Sequence, residues 1–454
     1  MKKGFSLFIF LFIMLILCSC SSNIENTDKN KIFKEIPELD SNENITINYY
    51  YQDFTNIYNG YIYEQIYKFN SLFPNITVFT HPIVDLNYLV SLNADVENGV
   101  IMGSKYLIKE LIKNDYITEL DSYVASDNVG YSLDEQSKFI DVLWNEGTTY
   151  NYDGTRYTLP YRETTEVLVY NKTIFDRYSY KVPETWDDII EICEDYVTRP
   201  EYVNLKNNGV NPSVVCFVDN FSLFENITAQ WNGQFNKFNK DGSEEYTLDN
   251  SKSTAAMSFI KENFDKGYFS TLKKYNLEDG HNMMDDGQAL MVVSPFGSIG
   301  SYRSNDGTFE VDITSYPQKD VKNPKINYIG DELALLKSNN AQEELACWLF
   351  MKFLISEESM LEYSNIHPYV LPRRRVINHM INELTSITNY DEWSKLLIHS
   401  EIVMLKQAKN CLYRNNVFSN SREVNLIIHT MVDEILYDNK SIELALKDII
   451  NIAN

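Results

Sequence analysis

The chain has 454 residues, and its 64 acidic residues outnumber its 40 lysines and arginines, which gives a formal net charge of −24 at pH 7. Loss of residues 1–19, which hold two lysines and no acid, makes the remaining net charge −26. This negative field repels nucleic acid and anionic lipid, so neither is expected as a binding partner. The length exceeds that of one simple core, and two or more lobes are expected.

The first twenty residues have the three parts of a secretory leader. Two lysines open the chain, residues 5–17 are apolar apart from one serine, and Ser19 precedes Cys20. The apolar run is shorter than the roughly 20 residues of a spanning helix. Leu17 and Ser19 before the cysteine resemble the bacterial lipobox. We therefore predict a signal peptide at 1–19, palmitate-type lipidation of Cys20 and an extracytoplasmic, lipid-anchored location at the cell membrane. Simple cleavage and an uncleaved anchor are the alternatives.

The next stretch, residues 20–44, is polar and has little apolar periodicity. Such a composition is typical of a flexible tether, and we predict one there. No second long apolar run follows, so the remainder is expected to be a soluble domain.

Four cysteines remain after lipidation: Cys193, Cys216, Cys347 and Cys411. They form no CxxC pair and have no histidine at metal-ligand spacing, so we predict neither a metal site nor a cofactor. A Cys193–Cys216 disulfide suits an exported protein, and buried free thiols are the alternative that we favour.

Strand-like and helix-like segments alternate after the tether. Residues 45–51 are β-branched and aromatic and predict a buried strand, 61–73 have helical spacing, and 76–79 predict a second strand. This order favours an α/β fold with parallel strands.

Helix starts can be read further along the chain. Thr185 with Asp188, and Asn340 with Glu343, have the spacing of capping boxes. The helix after Asn340 is apolar on nearly every side and is predicted to be buried. The last 30 residues predict a pair of amphipathic helices.

Three motifs follow one another in the middle of the chain. Residues 153–160 read DGTRYTLP, 167–172 read VLVYNK, and 182–188 read VPETWDD. Further pieces lie at 231–233, 286–291, 344–354 and 441–449. In this order and spacing they resemble the family 1 extracellular solute-binding proteins, the sugar-binding receptors of ATP-binding-cassette (ABC) importers. The resemblance covers about residues 45 to 454.

The resemblance implies a two-lobed, periplasmic-binding-protein-like fold of type II, in which mixed sheets flanked by helices enclose an interlobe cleft. We place the N-lobe at 45–161 plus 316–358 and the C-lobe at 162–315 plus 359–454. The first chain crossing between lobes is expected near 159–166, with return crossings near 313–317 and 356–372. Movement about these crossings would close the cleft over a ligand.

The resemblance also implies ligand contacts at strand ends and on the first crossing. Gln52 and Asp53 follow the first strand, with an ordinary solvated loop as the alternative. Tyr161 and Glu163 lie on the first crossing, where Glu166 is a second candidate for a ligand-bonding acid.

Three further contacts are expected from the second half of the chain. Trp231 stands between a polar helix and a glycine turn and is predicted to project into the cleft, with a core tryptophan as the alternative. Phe296 occupies the place of an aromatic residue that stacks on sugar in maltodextrin-type receptors. Asp331 follows Gly330. Residues 99–104 lack an aromatic ring, which argues against stacking of a long oligosaccharide.

The function implied is that of a membrane-tethered receptor that captures a small ligand, a sugar or short oligosaccharide, and delivers it to ABC permease subunits. We expect a monomer without catalytic residues. The alternatives are an exported carbohydrate-active enzyme and a sensor or adhesin lipoprotein that reuses the fold. The chain has no G-x-S-x-G and no H-E-x-x-H, while its 64 acids leave a glycosidase-type carboxylate pair open.

Overall fold

The computed structural model describes residues 33–52, 56–83, 98–278, 280, 283–302, 304, 307–389 and 391–453. The predicted signal peptide 1–19, the lipidation site Cys20 and the predicted ligand contact Asp53 lie outside these residues. The helices and strands of the described residues belong to one compact unit, Glu35–Asn454. Each helix among them is too short or too polar to cross a membrane.

The strands are β1 (Ile45–Tyr51), β2 (Ile76–Pro82), β3 (Gly99–Ser104), β4 (Thr158–Asn171), β5 (Ser213–Phe217), β6 (Asn236–Phe238), β7 (Glu244–Tyr246), β8 (Phe269–Thr271), β9 (Ala289–Pro295), β10 (Val311–Ser315), β11 (Ile326–Leu335) and β12 (Leu412–Tyr413). The α-helices are α1 (Asn56–Leu72), α2 (Lys105–Lys113), α3 (Asp121–Ala125), α4 (Leu133–Ser137), α5 (Asp141–Glu146), α6 (Lys172–Tyr178), α7 (Trp186–Tyr196), α8 (Pro200–Asn207), α9 (Asn220–Gln230), α10 (Ser251–Asp265), α11 (Ala341–Leu354), α12 (Glu357–Tyr363), α13 (Arg374–Ser386), α14 (Glu392–Cys411), α15 (Ser421–Tyr437) and α16 (Ile442–Ala453).

The first part of the fold follows the predicted order of strand, helix and strand. β1 is buried along nearly its whole length, as its β-branched and aromatic residues favour. It pairs in parallel with both β2 and β3, and α1 connects β1 to β2. The predicted strands at 45–51 and 76–79 and the predicted helix are therefore confirmed.

A mixed sheet runs through the unit in the order β2-β1-β3-β11-β4-β9-β5-β8. β4 changes partners along its length. Its residues 158–165 pair with β11, and its residues 166–170 pair with β9. It therefore joins the two halves of the sheet, in the region where the first crossing was predicted. The segment at Val370 runs along β4 and exchanges two backbone hydrogen bonds with Glu163 at 2.8 and 2.9 Å.

Two large hydrophobic clusters pack on this sheet. Trp348 of α11 is fully buried in one of them. Trp186, the first residue of α7, is buried in the other, with Phe217, Phe259 and Phe269 around its ring. Apolar faces of the helices thus cover apolar residues of the strands on both halves of the sheet.

One of the two predicted capping boxes is present. Thr185 accepts a hydrogen bond from the Asp188 backbone, and the Asp188 carboxylate accepts one from Thr185 in return. Asn340 also caps its helix, through the backbone N–H of Gln342. The prediction that Glu343 completes a capping box with Asn340 was wrong. The Glu343 carboxylate instead accepts a hydrogen bond from the Ser338 hydroxyl.

All four cysteines among the described residues are free thiols. Cys193, Cys216 and Cys347 are buried, and Cys411 is partly buried. The favoured alternative to a disulfide is therefore confirmed.

The end of the predicted tether 20–44 contacts the body of the protein. Ile36 is buried in the larger core, and the Asp40 backbone N–H donates to the Gln342 side chain at 2.8 Å. The segment from Ile36 onward is therefore packed against the folded unit.

Candidate ligand-binding site

Two neighbouring residues of β4 point to opposite faces of the sheet. Arg162 and Glu163 follow each other, and successive side chains of a strand alternate between its two faces. In the pairing with β11, Arg162 lies opposite Asp331 and Glu163 lies opposite Gly330. The paired strands β4 and β11 therefore have an Arg162 face and a Glu163 face here.

Arg162 gathers groups from three elements on its face. Its side chain is 6% exposed, and Nε donates to Oδ2 of Asp331 at 2.8 Å. Nη1 donates to the Tyr363 hydroxyl at 2.9 Å, and Nη2 donates to the backbone carbonyl of Gln52 at 3.4 Å. Because the guanidinium presents its donors in a rigid fork, it fixes Asp331 and the carboxyl end of β1 relative to the crossing strand.

Aromatic rings surround the same guanidinium. Its central carbon lies 5.3 Å from the Tyr58 ring centroid and 5.0 Å from the Tyr369 centroid. Tyr363 and Tyr369 stack nearly parallel, with centroids 6.3 Å apart. Cation–π attraction at these distances adds to the hydrogen bonds in holding Arg162.

The structure places Tyr161 in the core next to this group. Its side chain is fully buried, and its hydroxyl lies 3.2 Å from that of Tyr58, which lies 2.8 Å from that of Tyr49. Burial raises the pKa of Tyr161 to about 12. Tyr161 therefore packs in the core beside Tyr58 and Tyr49, and its hydroxyl is not exposed to solvent.

The Arg162 face is partly open to solvent. Gln52 is exposed, the Asp331 side chain is 25% exposed, and Ile329 is 53% exposed. Thr164 and Tyr369 are half-buried. Amide, carboxylate and hydroxyl groups beside an aromatic ring match both the polar groups and the apolar face of a small polar ligand.

Phe296 lies beside the point where β4 changes partners, and Trp231 lies at the carboxyl end of α9. Phe296 follows β9, whose last residue Pro295 pairs with Glu166 of β4, and it is buried in the same core as Tyr161. Trp231 caps the carboxyl end of α9, 4.9 Å from Phe259 between ring centroids and beneath the Lys319 ammonium.

The Glu163 face is closed to solvent. Glu163 is 2% exposed, and its Oε1 has no hydrogen-bond partner among the described residues. A Cβ on Gly330 would overlap both the Arg162 carbonyl and the Glu163 carboxylate, which explains the glycine. Burial raises the pKa of Glu163 well above its usual range, and the charges of Glu146 and Glu332 raise it further.

Arg414 forms ion pairs with two carboxylates on the Glu163 face. Its Nη1 lies 3.0 Å from Glu146, and its Nη2 lies 2.7 Å from Glu332. The Tyr150 hydroxyl donates to the same oxygen of Glu332 at 2.8 Å. All three charged side chains are at most 4% exposed. Burial and then the charge of Glu332 raise the pKa of Glu146. The other candidate acid, Glu166, is also buried and accepts from Asn226 at 2.9 Å.

The arginines that organise both faces were not among the predicted site residues. Arg162 is a charged residue within a strand that is buried along nearly its whole length, and a buried charge requires a partner. That signal was available in the sequence. Arg414 stands in no motif, and its partners Glu146 and Glu332 are separated from it by 268 and 82 positions, so no local pattern indicates it.

The chain belongs to the bacterial extracellular solute-binding proteins, because that family's sequence pattern matches residues 68–382. The predicted family resemblance is thereby confirmed. No curated protein sequence matches the chain significantly.

Solved structures share its fold at low sequence identity. An ABC substrate-binding protein from Listeria monocytogenes, in complex with cycloalternan, is 15% identical with a TM-score of 0.64, over 91% of this chain and 98% of that one. A cyclo/maltodextrin-binding protein complexed with maltotetraose is 16% identical with a TM-score of 0.68, over 90% and 96%. The sugar-binding protein MalE from Xanthomonas citri is 14% identical with a TM-score of 0.67, over 90% and 96%. The two-lobed, periplasmic-binding-protein-like α/β fold is confirmed.

Proposed function

We propose that this protein is an extracytoplasmic receptor that captures a sugar or short oligosaccharide between its lobes and delivers it to the permease subunits of an ABC importer. The observation that carries the proposal is the Arg162 face. There, a buried arginine on the crossing strand holds Asp331 and the end of β1 beside partly exposed polar and aromatic groups. Strand ends of this kind are common ligand sites in α/β folds.

The choice of a sugar rests on chemistry and on related proteins. Hydroxyl groups pair with carboxylate and amide groups, and the apolar face of a sugar ring packs on an aromatic ring. Gln52, Asp331 and Tyr369 offer these three kinds of group. Two of the structurally similar proteins named above were solved in complex with cycloalternan and with maltotetraose. The large negative charge of the chain also favours a neutral ligand over an anionic one.

Capture would depend on movement about the crossing strands. We place the lobes at 45–161 plus 316–358 and at 162–315 plus 359–454. The partner change of β4 between Thr165 and Glu166 supports a hinge near the first boundary. A ligand shifts such an equilibrium only through contacts that differ between the open and closed states. In this proposal the group around Arg162 supplies such contacts, since it draws on β4, β11 and the end of β1.

Sugar binding is expected to raise the thermal stability of the purified full chain. A ligand at one hundred times its dissociation constant stabilises a protein by about 2.7 kcal/mol. We expect a concentration-dependent increase in Tm with at least one member of a panel of glucose, maltose, maltotetraose and cycloalternan. Sorbitol at equal concentration controls for nonspecific stabilisation. Absence of a specific shift across the panel would count against a receptor for this class of sugar.

Two other functions predict different results for sugar conversion and sugar uptake. An exported carbohydrate-active enzyme would convert the sugar, so the appearance of shorter saccharides would sink the receptor proposal. A sensor or adhesin would bind without conversion, and loss of the chain would leave uptake of the bound sugar unchanged. The family consists of solute-binding proteins, which favours binding without catalysis.

The proposed tether is a lipid on Cys20 after removal of residues 1–19, which would keep the monomeric receptor near its permease. The leader pattern and the lipobox-like residues before Cys20 support it. Cys20→Ala is expected to move the protein from the membrane fraction to the soluble extracytoplasmic fraction, whereas Cys193→Ala should leave it with the membrane. Equal membrane retention of the Cys20 variant and the wild type would refute lipidation at this residue.

A further inference from the structure

A pocket of about 510 Å³ lies between the carboxyl end of α11, the loop before α4 and Arg373, the residue directly before α13. We call it the Arg373 pocket; its walls include Phe73, Tyr131, Leu349, Lys352, Phe353 and Arg373. The volume lies within the range of small-molecule sites, roughly 300–1,000 Å³. The pocket shares no lining residue with the group around Arg162.

The guanidinium of Arg373 is fixed in place but keeps two donor groups free. The residue is 6% exposed, its Nε donates to the Ile355 carbonyl at 2.8 Å, and its central carbon lies 3.7 Å from the Phe139 ring centroid. Among the described residues, Nη1 and Nη2 have no hydrogen-bond partner and the guanidinium forms no ion pair. Both Nη atoms keep accessible surface, unlike the enclosed unpartnered atoms of the core, so a ligand in the pocket can contact them.

A second cation lines the same pocket. Lys352 is half-buried, and its ammonium donates to the backbone carbonyls of Val129 and Gly130 at 3.1 and 2.5 Å. Because both carbonyls are neutral, these hydrogen bonds leave the charge uncompensated. Burial lowers the pKa of Arg373 and the pKa of Lys352, and the charge of Arg373 lowers the pKa of Lys352 further. A buried cation costs free energy unless an anion pairs with it.

The two carboxylates that line the pocket are bound by other groups. Glu135 accepts from the Ser132 backbone N–H at 2.8 Å and from its hydroxyl at 2.9 Å, and Glu357 pairs with Arg375 at 2.8 Å. Neither carboxylate therefore serves as the counter-ion of Arg373. An uncompensated pair of cations in a chain of formal net charge −24 marks a local site for an anion.

The rest of the pocket wall decides which kind of anion fits. Leu349 and Phe353 lie one turn apart on α11, Phe73 follows α1, and all three are half-buried. Two neighbouring N–H groups of a guanidinium match the two oxygens of a carboxylate, and apolar side chains match a hydrocarbon body. We propose that the Arg373 pocket binds a monocarboxylate with an apolar body, held by hydrogen bonds from Nη1 and Nη2. This site does not depend on the proposed transport function.

The direct test is a crystal structure of the full chain, grown without carboxylate buffers and soaked with benzoate or, separately, with inorganic phosphate. We expect the benzoate oxygens within hydrogen-bond distance of both Nη atoms of Arg373, and its ring against Leu349 or Phe353. Ordered water alone in the pocket at saturating benzoate would overturn the proposal, as would benzoate bound only on the Arg162 face. Phosphate in the pocket without benzoate would overturn the assignment to a monocarboxylate.

Calorimetric titration of the full chain compares benzoate with benzamide, a neutral molecule of nearly the same shape. The wild type should bind benzoate at least tenfold more tightly than benzamide, because the amide lacks the charge that pairs with Arg373. Equal affinities for the two compounds would contradict the assignment.

Arg373→Lys keeps the positive charge and removes the paired donors. It is expected to weaken benzoate binding about 10- to 100-fold in the same titration. Arg375→Lys is the matched control, because Arg375 is 78% exposed and pairs with Glu357, and it should leave the affinity unchanged. Equal affinities of the two variants would refute the role of Arg373. The wild-type comparison of benzoate with benzamide decides the question if the Arg373 variant does not fold.

Discussion

Replacement of Arg414 by methionine is expected to lower the free energy of unfolding by about 3–5 kcal/mol at pH 8. The arginine is the shared partner of Glu146 and Glu332, and neither carboxylate has access to water. Its removal leaves two negative charges buried next to each other, which is among the most destabilising changes that a single substitution can make. Urea unfolding followed by circular dichroism would measure the difference.

The effect of this substitution should depend on pH in a defined direction. The folded-state pKa of Glu146 is already raised above its ordinary value of 4.5, chiefly by burial and then by the charge of Glu332. A carboxyl whose pKa is higher in the folded state contributes stability below the unfolded value and loses it as pH rises through the folded value. The penalty for Arg414→Met is therefore expected to be smaller at pH 5 than at pH 8.

An exposed ion pair provides the matched control for Arg414. Arg199, which directly precedes α8, lies 2.7 Å from Asp195 of α7, and both side chains are more than one-third exposed. Arg199→Met should change stability by less than about 1 kcal/mol. If Arg414→Met proves as mild as this control at pH 8, the buried ion cluster does not hold the Glu163 face together.

Replacement of Arg162 by lysine is expected to weaken sugar binding at least tenfold and to lower stability by about 1–3 kcal/mol. A lysine has one compact charge and cannot reach Asp331, Tyr363 and the Gln52 carbonyl simultaneously, as the guanidinium does. The Asp331 carboxylate would then lose its fixed position beside the end of β1. Calorimetric titration with the sugar identified by thermal shift gives the affinity, and urea unfolding gives the stability.

The control for the Arg162 substitution is Arg177→Lys. Arg177 pairs with Glu201 on the surface and is half-exposed, so this change should leave both affinity and stability nearly unchanged. An Arg162→Lys variant with wild-type affinity would show that the ligand does not use the Arg162 face.

Local elements were predictable from the sequence because their signals are local. β1 carries its β-branched and aromatic run within seven residues, and Thr185 and Asp188 cap α7 from within one turn. The capping box at Asn340 failed because Ser338, a residue outside the expected pattern, takes the Glu343 carboxylate. Short-range patterns are reliable only where no equally near partner competes.

The candidate site depends on pairings that a single sequence does not display. Asp331 meets Arg162 across 169 positions, and a register shift between Asp331 and Glu332 helps to decide which face each β4 residue occupies. Because a slip of one residue turns a side chain to the other face of a sheet, strand position alone does not assign Glu163 to the closed face. Trp231 illustrates the same limit, since its ring packs against Phe259 and Lys319, which lie 28 and 88 positions away.

The most direct test of the receptor account is a calorimetric titration of the purified full chain with glucose, maltose, maltotetraose and cycloalternan, followed by chromatography of the recovered sugar. The account predicts saturable binding of at least one of them, loss of at least tenfold in affinity with Arg162→Lys, and recovery of the sugar intact. Failure of all four sugars to bind, or recovery of shorter saccharides, would contradict it.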